Sequence, residues 1–155
     1  MLQLQLYQHS FFVGLISFEH TLVLAKENTE RNGLRDRVSF VSSDWFERVD
    51  GTFDLIVSNP PYLNDLEWKA CEPEIRNYEP KTALVSEPED SAADLKRIVE
   101  TASPRIRPGG LLALETGENH HAVLVELATK LGYLEARGFA DLRGRPRFFF
   151  ARRPD

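Results

Sequence analysis

Apolar and polar residues alternate from Leu2 to Tyr7, the period of a half-buried strand. Phe11 to Ile16 is a short apolar run that reads as a second strand. Ser17 then offers a helix cap, and helical spacing continues through Leu22, Ala25 and Lys26 to Asn32, with Gly33 as a left-handed stop. Arg37 to Ser42 is the next strand. Gly51 marks a turn into Phe53 to Ser58, whose three consecutive apolar residues predict burial on both faces, as in a parallel sheet.

Leu63 to Asp90 is polar and proline-bearing, with no clear period, and reads as a long loop, functional or disordered. Helical spacing returns from Ser91 to Ser103 through Leu95, Ile98, Val99 and Ala102. Pro108-Gly109-Gly110 turns the chain into a buried strand, Leu111 to Glu115. Asn119 to Leu131 is a helix ending at Gly132. Leu134 to Phe139 and Arg147 to Ala151 are closing strands around Gly144 and Pro146, and Arg152 to Asp155 reads as a frayed tail. Strand and helix alternate, which predicts an α/β class with a mostly parallel sheet and an antiparallel edge.

Composition narrows this picture little. The 155 residues are 42% hydrophobic and 28% charged, ordinary values for one globular domain. The net charge of -5 lacks the footprint of a chain that binds nucleic acid through bulk charge. Cys71, the single cysteine, excludes an internal disulfide and points to a reducing compartment. No apolar run reaches the roughly 18 residues of a membrane span, and no basic segment precedes Phe11 to Ile16, so the expected location is cytoplasmic, with no membrane partner.

The chemistry sits in Asn59-Pro60-Pro61-Tyr62, at the C-terminal end of the most apolar strand, where open α/β sheets bind ligands. Two prolines fix two φ angles and remove two donors. The Asn59 side-chain oxygen and the Pro60 carbonyl can then accept both hydrogens of a planar NH2 group, aiming its nitrogen at an electrophile. Tyr62 supplies a flat face for the amide or base plane. By itself the tetrapeptide is equally a strand terminator. Glu115, at a strand end, is either a pocket carboxylate or a buried acceptor. His120-His121 makes a poor chelate, because adjacent helical residues face different ways, and no metal site is expected. Arg143, Arg145, Arg147, Arg152 and Arg153 read as the charges of a protected edge strand.

Val57-Ser58-Asn59-Pro60-Pro61-Tyr62 resembles the motif of S-adenosylmethionine-dependent amino-group methyltransferases. Further segments resemble the HemK-type release-factor glutamine methyltransferases. They are Glu27-Asn28 through Asn32-Gly33-Leu34, Ser43-Asp44-Trp45-Phe46, Tyr78-Glu79-Pro80 with Ala83-Leu84, Arg107 to Gly110, Leu114 to Gly117, and Asp141 to Arg145. The resemblance is collinear over roughly Ser17 to Arg152. It implies a Rossmann-like class I methyltransferase sheet and N5-methylation of a glutamine side-chain amide in a peptide chain release factor. Asn59, Pro60 and Tyr62 would be catalytic. Asp44, Trp45 and Asn59 would face the cofactor, and Asn59, Pro60, Pro61, Tyr62 and Glu79 the acceptor. A DNA adenine N6-methyltransferase shares the tetrapeptide, but the acidic chain shows no basic recognition groove.

The family also carries a strand ending in E/D-x-G-x-G-x-G and, after the next strand, an acid for the ribose hydroxyls. Here Gly14 is the sole glycine before Gly33, and Leu15 aligns with the ribose acid. Residues 1–16 are therefore expected to be an atypical segment in place of the glycine-loop unit, with Leu2 to Tyr7 forming an irregular edge or an antiparallel hairpin with the next strand. Residues 17–155 would be the remaining methyltransferase domain. The chain then reads as N-terminally truncated or degenerate, with weak or absent S-adenosylmethionine binding. A non-catalytic remnant acting at most as a binding module is the competing class.

Overall fold

In a computed structural model that describes residues 10–17 and 19–155, the chain forms two compact units, within residues 1–50 and 51–155. In the first, β1 (Phe12–Ile16) and β2 (Val38–Ser42) pair in parallel, Phe12 opposite Val38 and Ile16 opposite Ser42. The connection is helix α1 (Glu19–Arg31), a right length for a parallel crossover. The chain leaves α1 at Gly33, whose φ of +65° only glycine adopts without strain. Leu2 to Tyr7, read as a strand, lies outside the described residues.

The second unit holds β3 (Phe53–Ser58), α2 (Asp65–Ala70), α3 (Pro73–Tyr78), α4 (Ala93–Ala102), β4 (Ile106–Glu115), α5 (His121–Lys130), β5 (Leu134–Ala140) and β6 (Pro146–Arg152). Its four strands run in the order β3-β4-β6-β5. β3 and β4 are parallel, whereas β6 is antiparallel to both β4 and β5. The α/β class with parallel strands and an antiparallel side is therefore observed. The core lies where α4 and α5 bury their apolar faces. Leu95, Ile98, Val99 and Ala102, the spacing that predicts α4, are each at most 1% exposed. Leu112, Leu114, Leu124 and Phe149 are equally enclosed.

Phe149 on β6 is fully buried between Leu114 of β4 and Gly138 of β5 in the register. Phe149→Ala should lower unfolding free energy by about 3–5 kcal/mol, because the lost transfer energy is joined by an unfilled cavity. Urea denaturation monitored by circular dichroism reads this directly; a change below about 1 kcal/mol would place the core elsewhere.

Four expectations need correction. β3 is not buried on both faces: Ile56 is enclosed, but Leu55 is 52% and Val57 69% exposed. Hydrophobic sequence alone states the demand for a cover and not which residues supply it. Residues 63–90 are not a structureless loop. Asn64 caps α2, accepting from the Leu66 and Glu67 N–H groups, while the Glu67 carboxylate accepts from the Asn64 N–H. Pro73 starts α3 at a position where its missing donor costs nothing.

Pro108-Gly109-Gly110 lies inside β4 instead of before it. The register with β3 slips there, Phe53 facing Ile106 but Leu55 facing Leu111. Gly109 takes φ +72°, and a Cβ on Gly110 would sit 2.9 Å from the carbonyl oxygens of Arg107 and Asp54. Finally, the arginine-rich end is neither frayed up to Arg153 nor an edge. The Arg153 N–H donates to the Gly110 carbonyl at 2.9 Å, and the Gly109 N–H to the Arg153 carbonyl at 3.1 Å. β6 lies between two strands, and the edge on that side is β5.

Candidate active site

β3 ends at Ser58, and Asn59 follows with its side chain in an exposed position. Pro60 is buried, Pro61 and Tyr62 half-buried. With two donors removed by proline, the chain regains pairing at once. The Tyr62 and Leu63 N–H groups both donate to the Leu84 carbonyl, at 3.1 and 2.9 Å, and the Ser86 N–H returns a bond to Leu63 at 3.1 Å. Ser86 is tied in turn to the first turn of α4, donating its hydroxyl to Asp94 Oδ2 at 2.7 Å. The tetrapeptide is thus a rigid bend clamped to the segment before α4.

Tyr62 is the best-held side chain of the bend. Its hydroxyl donates to Glu115 Oε1 at 3.1 Å and accepts from Arg147 Nη1 at 3.0 Å. Glu115 ends β4 and Arg147 is the second residue of β6, and the Thr116 N–H donates to the Arg147 carbonyl at 2.8 Å across that pair. Burial, then the Glu115 carboxylate, push the phenol above its ordinary value, so it stays protonated at neutral pH.

His120 stands edge-on to Tyr62, ring centres 6.3 Å apart at 66°. Its Nδ1 accepts from the Gly117 N–H at 3.1 Å, and its Nε2 lies 3.0 Å from Ser91 Oγ. A backbone N–H can only donate, so Nδ1 is the acceptor and Nε2 carries the proton toward Ser91. Both ring nitrogens are spent on structure. Burial lowers the His120 basicity, opposed by Glu67 and Asp90 and aided by His121 and Lys96.

That shift has a stability consequence. A histidine whose folded value is depressed contributes fully above its unfolded value near 6.5, and the contribution drains away as pH falls toward the folded value. Protonation would also remove the acceptor for Gly117. Stability should therefore decline as pH falls below about 6.5. His120→Asn, which keeps an acceptor near Nδ1 but cannot titrate, should flatten the decline to what His121, likewise lowered by burial, supplies. Urea midpoints across that range decide it; an unchanged slope in the variant would exclude His120 as the cause.

Glu79, assigned to the acceptor side, is exposed just past α3, its backbone N–H donating to the Ile75 carbonyl at 2.9 Å. Sequence reasoning flagged Glu115 without its partner. It passed over Arg147 as an edge charge and His120 as a poor chelator. The bonds spanning 53 and 85 positions from Tyr62 leave no local signal.

In the first unit, Ser43-Asp44-Trp45-Phe46 is a turn at the C-terminal end of the parallel pair. The Ser43 N–H donates to Ile16 at 3.1 Å, Ser43 Oγ accepts from the Arg48 N–H at 3.0 Å, and the Asp44 carbonyl accepts from the Glu47 N–H at 3.1 Å. Trp45 is half-buried at φ +47°, and Asp44 is exposed. A carboxylate and an indole suit the amino group and face of an adenine. The ribose end fits less well. Leu15, 36% exposed, offers no acceptor, and a Cβ on Gly14 would lie 2.7 Å from the Phe40 ring. The bareness of Gly14 serves that ring and forms no cradle.

Residues 15–73 match the methyltransferase small domain family. The release factor glutamine methyltransferase of Cereibacter sphaeroides is 37% identical over 134 residues, 86% of this chain and 48% of that protein. Its Haemophilus influenzae counterpart is 41% identical over 105 residues, 68% of this chain and 35% of that protein. The chain thus spans about half, or less, of the length of the curated relatives it matches. In fold it is similar to a methyltransferase from Pyrococcus furiosus, with a TM-score of 0.68 at 22% identity over 98% of this chain and 68% of that one. Among the described residues no helix is long and apolar enough to cross a membrane. By sequence, over a stretch equal to about half of its relatives or less, the chain is similar to release factor glutamine methyltransferases, and it has the α/β fold of solved methyltransferases.

Proposed function

We propose that this chain carries the acceptor half of a site for S-adenosylmethionine-dependent N5-methylation of a glutamine side-chain amide in a peptide chain release factor. The observation that carries the reading is the rigid bend at the end of β3, with Asn59 exposed and Tyr62 fixed beside it by Glu115 and Arg147. An amide nitrogen is a poor nucleophile because its lone pair is delocalised. Asn59 Oδ1 and the Pro60 carbonyl accept its two hydrogens and orient it, and both bonds strengthen as the nitrogen loses electron density. Tyr62 bears the amide plane, and Glu79 borders the acceptor. S-adenosylmethionine, when bound, supplies the electrophilic methyl group. Asp44 and Trp45 would hold its adenine end.

Residues 17–155 then constitute the methyltransferase part, residues 1–16 stand in place of a glycine-loop unit, and the setting is cytoplasmic, with a protein acceptor and no nucleic acid. The test is incubation with a purified release factor and millimolar methyl-labelled cofactor, followed by peptide mapping. Label on one glutamine is the expected result. Label on DNA adenine, or none on the release factor, would overturn the assignment. A second reading, a binding module without turnover, is favoured by Leu15 and by the packing of Gly14 on Phe40. Release-factor binding without label would select it.

A further inference from the structure

We infer that Glu115 and Arg147 are positioning residues that act through the Tyr62 hydroxyl to set the plane of the ring against which the acceptor amide lies. The inference rests on the function proposed above and assigns a role to two residues outside the Asn59-Pro60-Pro61-Tyr62 bend. A phenol hydroxyl has one proton to give, and here it goes to Glu115; its acceptor side is taken by Arg147. The two bonds fix the far end of the ring from opposite chemical partners. The near end is fixed by the bend, through the Tyr62 N–H on Leu84. His120 packs against the ring in a T-shaped contact, ring centres 6.3 Å apart, and adds a third constraint on its plane.

The braces are themselves stiff. Glu115 faces Phe148 in the antiparallel register, next to Arg147, so both groups project from one hydrogen-bonded ladder. Their charges also compensate each other, so the carboxylate and guanidinium together offer no net charge to a ligand at the ring. That suits a neutral amide. It would not select a cationic amine, which an unpaired Glu115 would attract, or a phosphate, which an unpaired Arg147 would attract. The same acid and base would be needless for a surface tyrosine that only ends a strand.

The geometry commits to a pattern among variants. Glu115→Ala and Arg147→Ala should each lower kcat for methyl transfer by roughly ten- to a hundredfold, through misalignment of the acceptor, with cofactor KM unchanged. Glu115→Gln keeps an acceptor for the hydroxyl and should retain most turnover, and Arg147→Lys should fall between. Tyr62→Phe removes the shared hydroxyl. On that background, adding Glu115→Ala or Arg147→Ala should cost nothing further. Circular dichroism and urea midpoints identify variants that fail to fold, and the glutamine and lysine variants then carry the comparison.

Full additivity on the Tyr62→Phe background, or an effect confined to stability, would overturn the inference. A wild-type chain that labels no release factor counts against the proposed function instead. The brace is then decided by NMR titration with ring-labelled tyrosine. Loss of Glu115 should lower the Tyr62 titration and loss of Arg147 raise it. Movement in those opposite senses supports the brace, and an unmoved Tyr62 signal overturns it.

Discussion

Asn59→Ala should lower kcat for methyl transfer by about a hundred- to a thousandfold, a far larger loss than any in cofactor affinity. The magnitude is that of removing one preorganised polar group that meets charge developing in the transition state. In the proposed complex the amide hydrogens are weakly polarised in the ground state, and their bonds to Asn59 Oδ1 and the Pro60 carbonyl would be ordinary. As the nitrogen attacks, it becomes cationic and those bonds strengthen. Asn59 is therefore placed to act on turnover more than on binding. Its exposure at the end of β3 means that truncation opens no cavity, so a stability effect should not obscure the kinetic one. Asn59→Asp is a sharper variant. It keeps the acceptor and adds a charge, so it should retain more activity than alanine and acquire a dependence on pH in the carboxylate range. Steady-state kinetics at saturating cofactor measure both. Turnover in the alanine variant equal to wild type would remove Asn59 from the mechanism.

The residues that position this site were legible in the sequence to different depths. α4 was legible because its four apolar positions repeat at helical spacing and all four are buried. The crossover through α1 was legible because Gly33 has to supply a left-handed stop. The bend at Asn59-Pro60-Pro61-Tyr62 was legible because two prolines after an apolar strand leave few backbone alternatives. Its supports were not. Asn64 and Glu67 did carry a capping-box pattern, and Pro73 a helix start, but both lie in a polar stretch where the absence of period dominated the reading. Glycines in Pro108-Gly109-Gly110 read as a turn because a local scan takes glycine as a breaker. In the fold the second of them is where backbone carbonyls approach too closely for any Cβ. Arg147 shows the deepest limit. As one arginine among five it looked like edge protection, and only the pairing of β4 with β6 brings it to the Tyr62 hydroxyl.

The remaining large effect concerns the cofactor. The 155-residue chain should bind S-adenosylhomocysteine with a dissociation constant near or above the millimolar range. In the proposed site Asp44 and Trp45 would supply a carboxylate and an indole for the adenine. By the alignment proposed above, the ribose hydroxyls would meet Leu15 in place of an acid, and Gly14 gives its space to Phe40. The sequence holds no E/D-x-G-x-G-x-G for the methionine end. Two charge-assisted or bidentate interactions are thus wanting, each worth roughly 1.5–3 kcal/mol. Together they amount to about two to four powers of ten in affinity, which takes a micromolar site to a millimolar one. Leu15→Asp restores one acceptor at a half-exposed position and should tighten binding by roughly tenfold or more. Isothermal titration of both chains with S-adenosylhomocysteine reads the two numbers in one experiment. Low-micromolar binding by the wild-type chain would mean that other residues complete the site, and the assignment of Leu15 to the ribose position would fall with it.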